Sequence, residues 1–271
     1  MLELSTGRRV NMPSDGPAAA AADVENQAAQ GQTDQYLQNT STLEGLFQTA
    51  DSSLSSVVTA LNQAISLGTQ GANGTLSTSD LQALAQQVQG IQSQVVSLAN
   101  VSYEGTYVFA GTANTPPFTL DSTQPSGVQY NGNSGTNNVP IGEDRTIQSN
   151  VPGNQLFLGS SGNVMGSLQQ LVTALQSGNS AAIGTATSQV SNAVSYLSQQ
   201  RVFYGNAVDQ LNANQSFLQQ EQVNLQTQDN SLVGVDMATA ATDLTQAETA
   251  QSATLAAIAK VIPQSLLNYL S

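Results

Sequence analysis

In two stretches of the N-terminal part of the chain, apolar residues recur at alternating intervals of four and three positions. The first stretch contains Leu43, Phe47, Ala50, Leu54, Val57, Leu61 and Ala64. The second stretch contains Leu81, Leu84, Val88, Ile91, Val95 and Leu98. This heptad spacing places the apolar side chains on one face of a helix. We therefore predict two helices whose apolar faces form an intramolecular core.

Glycine-rich sequence separates the two heptad stretches. Residues 68–74 include three glycines, and this composition predicts that the first helix breaks there. Ser77 and Asp80 then have the spacing of a capping box, in which each side chain binds a free backbone N–H of a helix start. We therefore predict that the second helix begins close to Ser77.

The opening of the chain combines two adjacent arginines with turn residues. Pro17 suits the first turn of a helix, where its missing N–H costs nothing, and Ser14 or Asp15 is the expected cap. Arg8 and Arg9 are two of only five basic residues. Paired arginines can bind carboxylates of a neighbouring subunit through bidentate hydrogen bonds. A solvated helix end explains the two arginines equally well, so both interpretations stay open.

The pattern changes between about residues 103 and 163, where short aromatic or β-branched pieces alternate with turn residues. Tyr107-Val108-Phe109 and Phe118-Thr119-Leu120 are two such pieces. The pair Asn131-Gly132 favours a tight hairpin turn. These features predict a small β domain inserted between helices.

Helical spacing returns in the C-terminal part, and it completes the predicted architecture. Leu197 and Leu211 belong to a long helix that Gly234 interrupts. We predict an α+β fold, in which an elongated, mainly helical bundle from both chain ends carries a small inserted β domain. The predicted divisions are the two halves of the bundle, the β domain between them and a C-terminal helix, at residues 1–104, 105–163, 164–235 and 236–271.

Charged residues are scarce and mostly acidic. The chain has 18 acidic and 5 basic residues, which gives a net charge of −13. Nucleic acids and anionic membranes bind basic patches, so we expect neither as a partner. The first four residues lack the basic start and apolar core of a secretory signal peptide, so no cleaved signal is predicted.

The residue types that most often carry catalysis or bind metals are missing. The chain has no Cys and no His, which removes disulfides, thiolate metal sites and the commonest general base. Lys260 is the single lysine, and we interpret it as an exposed charge near a helix end. Glu143-Asp144 lies among turn residues, where a turn role is favoured over a carboxylate pair. We therefore expect no enzyme activity, no cofactor and no metal site.

Residues 7–19, GRRVNMPSDGPAA, resemble the N-terminal segment of the bacterial flagellin family. Residues 71–81 and 103–111 resemble the helix connector and the helix-to-β segment of the same family, and the sequence from Asp236 onward resembles its C-terminal helix. Pro13 and Pro17 are most similar to the branch that stands at the junction between hook and filament.

The resemblance implies a structural component of the bacterial flagellum that joins the hook to the flagellin filament. Its partners would be the first hook-associated protein, flagellin, further copies of itself in a ring and a flagellar export chaperone. It would be exported without a cleaved signal peptide and would lie outside the cell in the flagellum.

The family also pairs its terminal helices in a coiled coil inside the axial assembly. By this resemblance, residues 236–271 are the C-terminal helix of an inner domain whose N-terminal partner helix is largely missing from the sequence. We therefore expect residues 242–271 to be exposed, mobile or packed against a neighbouring copy. The candidate interface residues are Arg8, Arg9, Asn11, Asp15, Leu255, Ile258, Leu266, Leu267 and Leu270.

Two other functions compete with the junction role. The nearest is flagellin itself, the filament subunit, which shares the helical ends. From a different class, a secreted adhesin could use Tyr107, Phe118 and Tyr130 as a platform for stacking sugars. The interpretation that these three aromatics form the core of the β domain is favoured over the platform.

Overall fold

The computed structural model describes residues 2–160 and 162–267 and confirms the predicted α+β class. Long helices from the N-terminal and C-terminal parts flank a short β region. The elements are α1 Leu2–Thr6, α2 Pro17–Ala72, α3 Thr78–Ala99, β1 Ser102–Tyr103, β2 Thr106–Tyr107, β3 Phe118–Leu120, β4 Val128–Tyr130, β5 Asn138–Gly142, β6 Arg145–Gln148, α4 Gly153–Phe157, α5 Val164–Ser177, α6 Ser180–Val233 and α7 Met237–Leu267.

The chain divides into two compact units. The central unit is Tyr36–Leu218, and the terminal unit consists of Met1–Gln35 and Gln219–Ser271. Both divisions fall inside long helices, the first inside α2 and the second inside α6. The domain boundaries expected from the sequence stay a prediction.

The heptad positions form the core of the central unit, as predicted. Every residue of the first stretch is buried, and in the second stretch only Leu98 is half-buried. α3 packs against α5, whose Leu168, Leu171 and Leu175 are fully buried. Burial of apolar area is the main stabilising contribution in such a bundle.

Aromatic rings join the β region to this core. Phe157 of α4 makes edge-to-face contacts with Phe109 and Phe118, at ring-centroid distances of 5.3 and 5.4 Å. All three rings are almost completely buried. The β strands form three separate antiparallel pairs, β1–β2, β3–β4 and β5–β6. Short two-stranded pairs are marginal alone, so the packing of Phe118 in the aromatic cluster supports the β3–β4 pair.

The predicted hairpin at Asn131-Gly132 is wrong. Asn131 extends the β3–β4 pairing, because its backbone N–H donates to the Pro117 carbonyl at 2.8 Å. The two-residue turn lies instead at Glu143-Asp144, between β5 and β6. This confirms the turn role expected for that acidic pair.

Hydrogen bonds from two helices hold the β5–β6 hairpin. Asn39 of α2 donates to the Pro140 carbonyl at 2.8 Å, and Asn214 of α6 donates to the Ile141 carbonyl, also at 2.8 Å. Asn214 is only 3% exposed, so its amide would carry a desolvation cost without this partner. The hairpin is thereby fixed to the helical core of the central unit.

The predicted break at residues 68–74 begins later than expected. α2 continues through Gly68 and Gly71 and ends at Ala72. Both glycines are buried, and a Cβ at either position would collide with side chains of α5 or α6, Leu175 at Gly71 and Thr187 at Gly68. The glycines therefore permit close helix packing, and they do not end the helix.

The two predicted helix starts have different outcomes. The capping box at α3 is confirmed, because Ser77 Oγ accepts from the Asp80 N–H and Asp80 Oδ2 accepts from the Ser77 N–H, both at 3.2 Å. α2 begins at Pro17 as predicted, but the expected capping by Ser14 or Asp15 is wrong. The Asp15 carboxylate is turned toward the preceding segment, where it binds backbone N–H groups.

Candidate subunit interface

The segment before α2 is tied to the junction between α6 and α7. The Arg9 N–H donates to the Val233 carbonyl at 2.7 Å, and the Val235 N–H donates to the Gly7 carbonyl at 3.1 Å. These bonds form a short antiparallel bridge in the terminal unit. They fix the position of both arginines.

Arg8 forms an ion pair within its own chain. Its Nη2 atom lies 2.6 Å from Asp23 Oδ2 on α2 and 3.9 Å from Asp229 Oδ1 on α6. The Arg8 side chain is 37% exposed, whereas that of Asp23 is 13% exposed. One face of the guanidinium is therefore engaged inside the terminal unit while part of it stays open to solvent.

Asp23 and Asp229 share one environment beneath Arg8. Oδ1 of each carboxyl is buried without a hydrogen-bond partner among the described residues. The side-chain interaction with Asp23 raises the pKa of Asp229, burial raises it further, and Arg8 opposes the shift. Ionising Asp229 beside the Asp23 carboxyl therefore costs free energy, because neighbouring carboxylates repel one another.

The other polar candidates of the segment stabilise its turn. Arg9 is exposed and donates from Nη2 to the Leu232 carbonyl at 3.0 Å. Asn11 Nδ2 donates to the Arg8 carbonyl at 2.7 Å. Asp15 Oδ2 accepts from the Asn11 N–H at 3.1 Å and from the Met12 N–H at 2.8 Å. Each candidate therefore has contacts within its own chain, and the segment is held in a defined shape.

A groove of about 510 Å³ lies between this segment and the start of α2. Arg8 and Asp23 contribute charge at one side, while Met12 and Val24 contribute apolar surface. Met12 is 56% exposed and Val24 is 66% exposed. Burial of these two apolar side chains by a partner would be favourable, which makes the groove a candidate association surface.

α7 is the second candidate surface, and it is almost entirely exposed. Its start is capped by Asp236, whose carboxylate accepts from the Ala238 N–H at 2.9 Å, and this bond lowers the pKa of Asp236. Leu255 is 61% exposed and Ile258 is 47% exposed. The exposure expected after residue 242 is thus found as far as residue 260. Leu266 and Leu267 belong to α7 with side chains outside the described part, and Leu270 lies outside the described residues.

Sequence reasoning missed the polar contacts that join α2 to α6 in the terminal unit. Asn26 is 4% exposed and donates to the Leu225 carbonyl at 2.9 Å. Gln222 donates to Asp34 Oδ1 at 2.6 Å. Asn and Gln are abundant along both helices, so no sequence signal distinguishes these residues from their solvated neighbours.

The structure also gives information on metal sites, membrane-spanning helices and a sugar-binding platform. In residues 2–160 and 162–267, no group of three or more His, Cys, Asp or Glu side chains is placed to hold a metal ion. Over the same ranges, no helix contains an apolar stretch long enough to cross a bilayer. Phe118 is 1% exposed, and the Tyr130 hydroxyl donates to the Phe109 carbonyl at 3.0 Å. Phe118 is therefore buried and cannot stack against a sugar, while Tyr130 is half-buried with its hydroxyl bound to the backbone.

Two family models match the chain. The model of the bacterial flagellin N-terminal helical region matches residues 1–114, and the model of the bacterial flagellin C-terminal helical region matches residues 187–270. The chain belongs to the bacterial flagellin family. The resemblance seen in residues 7–19 is therefore confirmed, and both candidate surfaces lie within the matched ranges.

Within the flagellin family, the chain is similar in sequence to flagellar hook-associated protein 3 from two bacteria. Flagellar hook-associated protein 3 of Escherichia coli (strain K12) is 41% identical over 123 residues, which are 43% of this chain and 37% of the relative. Flagellar hook-associated protein 3 of Salmonella typhimurium is 35% identical over 157 residues, which are 57% of this chain and 48% of the relative. The matches thus span less than half the length of either relative.

Solved structures of flagellar proteins share the fold. A protein from Vibrio parahaemolyticus superposes with a TM-score of 0.72 at 18% identity, over 81% of this chain and 100% of that chain. Bacillus cereus FlgL gives a TM-score of 0.64 at 22% identity, over 76% and 99%. The flagellar junction protein FlgL of Legionella pneumophila gives 0.62 at 14% identity, over 78% and 99%.

Proposed function

We propose that this flagellin-family chain is a non-catalytic structural component of the bacterial flagellum that joins the hook to the filament. The observation that carries the proposal is the 41% identity to a flagellar hook-associated protein 3. The fold supports it, since long terminal helices with a small β region between them suit axial assembly.

The proposed partners are the first hook-associated protein on one side of the junction and flagellin on the other. Further copies of the chain would complete a ring, and a chaperone would accompany its export. The proposed location is outside the cell, in the flagellum, without removal of a signal peptide. The predicted division at residues 1–104, 105–163, 164–235 and 236–271 is part of the same proposal.

We assign subunit contacts to the groove beside Arg8 and to the exposed face of α7. The groove combines a partly open guanidinium with apolar Met12 and Val24. Because acidic residues outnumber basic ones by 18 to 5, a second copy would bring carboxylates to the part of the Arg8 guanidinium that stays open to solvent. The apolar side chains of Leu255 and Ile258 would be buried against a helix of a neighbouring copy.

Deletion of the gene tests the function. A strain without the gene, viewed by electron microscopy, should keep its hooks, lack filaments and shed flagellin into the medium. Complementation with the full-length protein should restore filaments and motility. Normal filaments in the deletion strain would overturn the junction role. Long filaments formed by the purified full-length protein alone would instead support the flagellin alternative.

A double substitution tests the groove. Arg8→Ala with Arg9→Ala should reduce filament attachment in the complemented strain while lowering the free energy of unfolding by no more than about 1 kcal/mol, as for partly exposed ion pairs. The matched control is Arg201→Ala, because Arg201 also makes an ion pair, with Asp51 at 2.8 Å, and its side chain is 34% exposed. Normal assembly by the double variant, or equal loss with Arg201→Ala, would contradict the assignment.

A further inference from the structure

The sequence contains two Asn-Gly pairs, Asn73-Gly74 and Asn131-Gly132. The first lies in an open turn, whereas neighbouring residues contact the second. We propose that Asn73 is a site of spontaneous deamidation in the folded protein and that the fold protects Asn131. The proposal does not depend on the flagellar function, because it concerns the chemistry of one exposed turn.

The reaction needs an unhindered backbone nitrogen after the asparagine. The Gly74 nitrogen loses its proton to solvent base and attacks the Asn73 side-chain carbonyl carbon, forming a new C–N bond. The bond to Nδ2 breaks, and ammonia leaves with a proton from water. Water then opens the resulting cyclic imide at either carbonyl, which gives aspartate or isoaspartate. Glycine favours the attack because it has no Cβ beside the nucleophile.

The Asn73-Gly74 turn is exposed and sterically unhindered, as this reaction requires. Asn73 and Gly74 are both exposed, just after the end of α2. Gly74 has a positive φ of 68°, and no atom lies within 4 Å of a Cβ placed on it. Within the described part of the chain, the Asn73 side chain makes no hydrogen bond and the Gly74 N–H donates none. Rotation toward the attacking geometry therefore breaks no side-chain hydrogen bond, and the backbone bond of Asn73, from its N–H to the Gln70 carbonyl, is long at 3.5 Å.

The Asn131 site is held by its surroundings. Its Nδ2 atom donates to Thr119 Oγ1 at 3.2 Å, and its backbone N–H donates to the Pro117 carbonyl at 2.8 Å. Gly132 is packed beside the Tyr130 ring and the Ala110 carbonyl. The pair can rotate into the attacking geometry only by losing these contacts. The need to break these hydrogen bonds makes the rate at Asn131 roughly tenfold or more slower.

Deamidation at Asn73 would change the local charge. The product places a carboxylate at the C-terminal end of α2, where the helix dipole disfavours negative charge. Isoaspartate would also lengthen the backbone of the α2–α3 turn by one carbon. The modification would therefore alter this exposed turn while leaving the buried core of the central unit in place.

The test follows both sites in one sample. The full-length protein is incubated folded, in mildly alkaline buffer at physiological temperature, and peptides containing each site are quantified by mass spectrometry over time. We expect Asn73 to convert about tenfold faster than Asn131, by the same estimate for lost hydrogen bonds. In concentrated urea the two rates should converge, because both pairs have the same local chemistry.

Two variants sharpen the result. Thr119→Val removes the acceptor of the Asn131 amide, keeps a β-branched residue in β3, and should accelerate conversion at Asn131 without changing the rate at Asn73. Asn73→Gln should abolish the fast reaction, and circular dichroism checks that both variants fold. Equal rates at the two sites in the folded protein, or a rate difference that persists in urea, would overturn the proposal.

Discussion

The central and terminal units use the same residue types for different kinds of packing. In the central unit, heptad apolar residues and three phenylalanine rings are buried together. In the described part of the terminal unit, the buried apolar side chains are Val10, Leu225, Val233 and Ala240. Polar contacts such as Arg8–Asp23 and Asn26–Leu225 are prominent there.

This difference in packing indicates which unit folds by itself and which unit becomes ordered on assembly. Burial of apolar area offsets the conformational entropy that a chain loses on folding. Among the described residues, the central unit buries many more apolar side chains than the terminal unit. Partly exposed ion pairs and single hydrogen bonds stabilise much less. We therefore expect the central unit to be stable by itself and the terminal unit to gain most of its order on association with neighbouring subunits.

The largest test of the comparison removes a ring from the aromatic cluster. Phe157→Ala should lower the free energy of unfolding by about 3–5 kcal/mol, because it leaves a cavity between Phe109 and Phe118. The measurement is urea unfolding followed by circular dichroism. Phe217→Ala is the matched control, since Phe217 is 62% exposed and should change stability by less than about 0.5 kcal/mol. Similar losses for the two variants would refute the assigned core.

A smaller effect tests the close packing of α2. Gly71→Ala should destabilise the protein by about 1–3 kcal/mol, because its Cβ would press on the buried Leu175 side chain. Gly90→Ala, in an open position of α3, should instead stabilise the protein by about 0.5–1 kcal/mol through helix propensity. Equilibrium unfolding of both variants decides between these signs. A stabilising Gly71→Ala would show that this glycine has no packing role.

The smallest effect concerns the carboxyl pair of the terminal unit. The pKa of Asp229 is higher in the folded protein than its value of 3.8 in the unfolded chain. The protonated Asp229 side chain therefore contributes its full stabilisation below pH 3.8, and this stabilisation is lost as the pH rises through the folded-state pKa. Asp229→Asn stays neutral at every pH. The variant should therefore be more stable than the parent at neutral pH, by less than about 1 kcal/mol because the pair is partly exposed. This advantage should disappear in acid.

Asp236→Asn provides a control of opposite sign for that experiment. The α7 backbone N–H groups lower the pKa of Asp236, so its contribution is present above the unfolded value of 3.8 and is lost as the pH falls through the folded value. The Asp236 variant should be less stable than the parent at neutral pH and should match it in acid. Thermal unfolding across this pH range would contradict both assignments if the two variants shifted in the same direction.

Most of the helical fold could be predicted because burial follows the heptad period. Leu54 and Leu84 are buried where the pattern places them. The same local reasoning failed at Gly71, since a glycine that permits close packing looks like one that ends a helix. It also failed at Asn131-Gly132, where the Asn131 N–H bonds to the Pro117 carbonyl beside the end of β4 and the pair forms no hairpin turn. Local sequence does not reveal which distant backbone a residue meets.

The candidate interface was only partly predictable for the same reason. The position of Arg8 in the N-terminal signature was apparent from the sequence, but its pairing with Asp23 and Asp229 depends on how α2 and α6 pack in the terminal unit. Leu255 and Ile258 are exposed because, in the described part of α7, residues 245–260 are not covered by other elements of the chain. Whether those side chains contact a neighbouring copy stays a prediction that assembly experiments can check.

Hydrogen exchange of the monomeric full-length protein tests the central claim most directly. The measurement compares backbone amides of α3, in the core of the central unit, with those of residues 237–260 in α7. We expect the α3 amides to exchange only with global unfolding, while the α7 amides exchange far faster in dilute monomer and become protected on assembly. Equal protection of α3 and α7 in the dilute monomer would contradict the account.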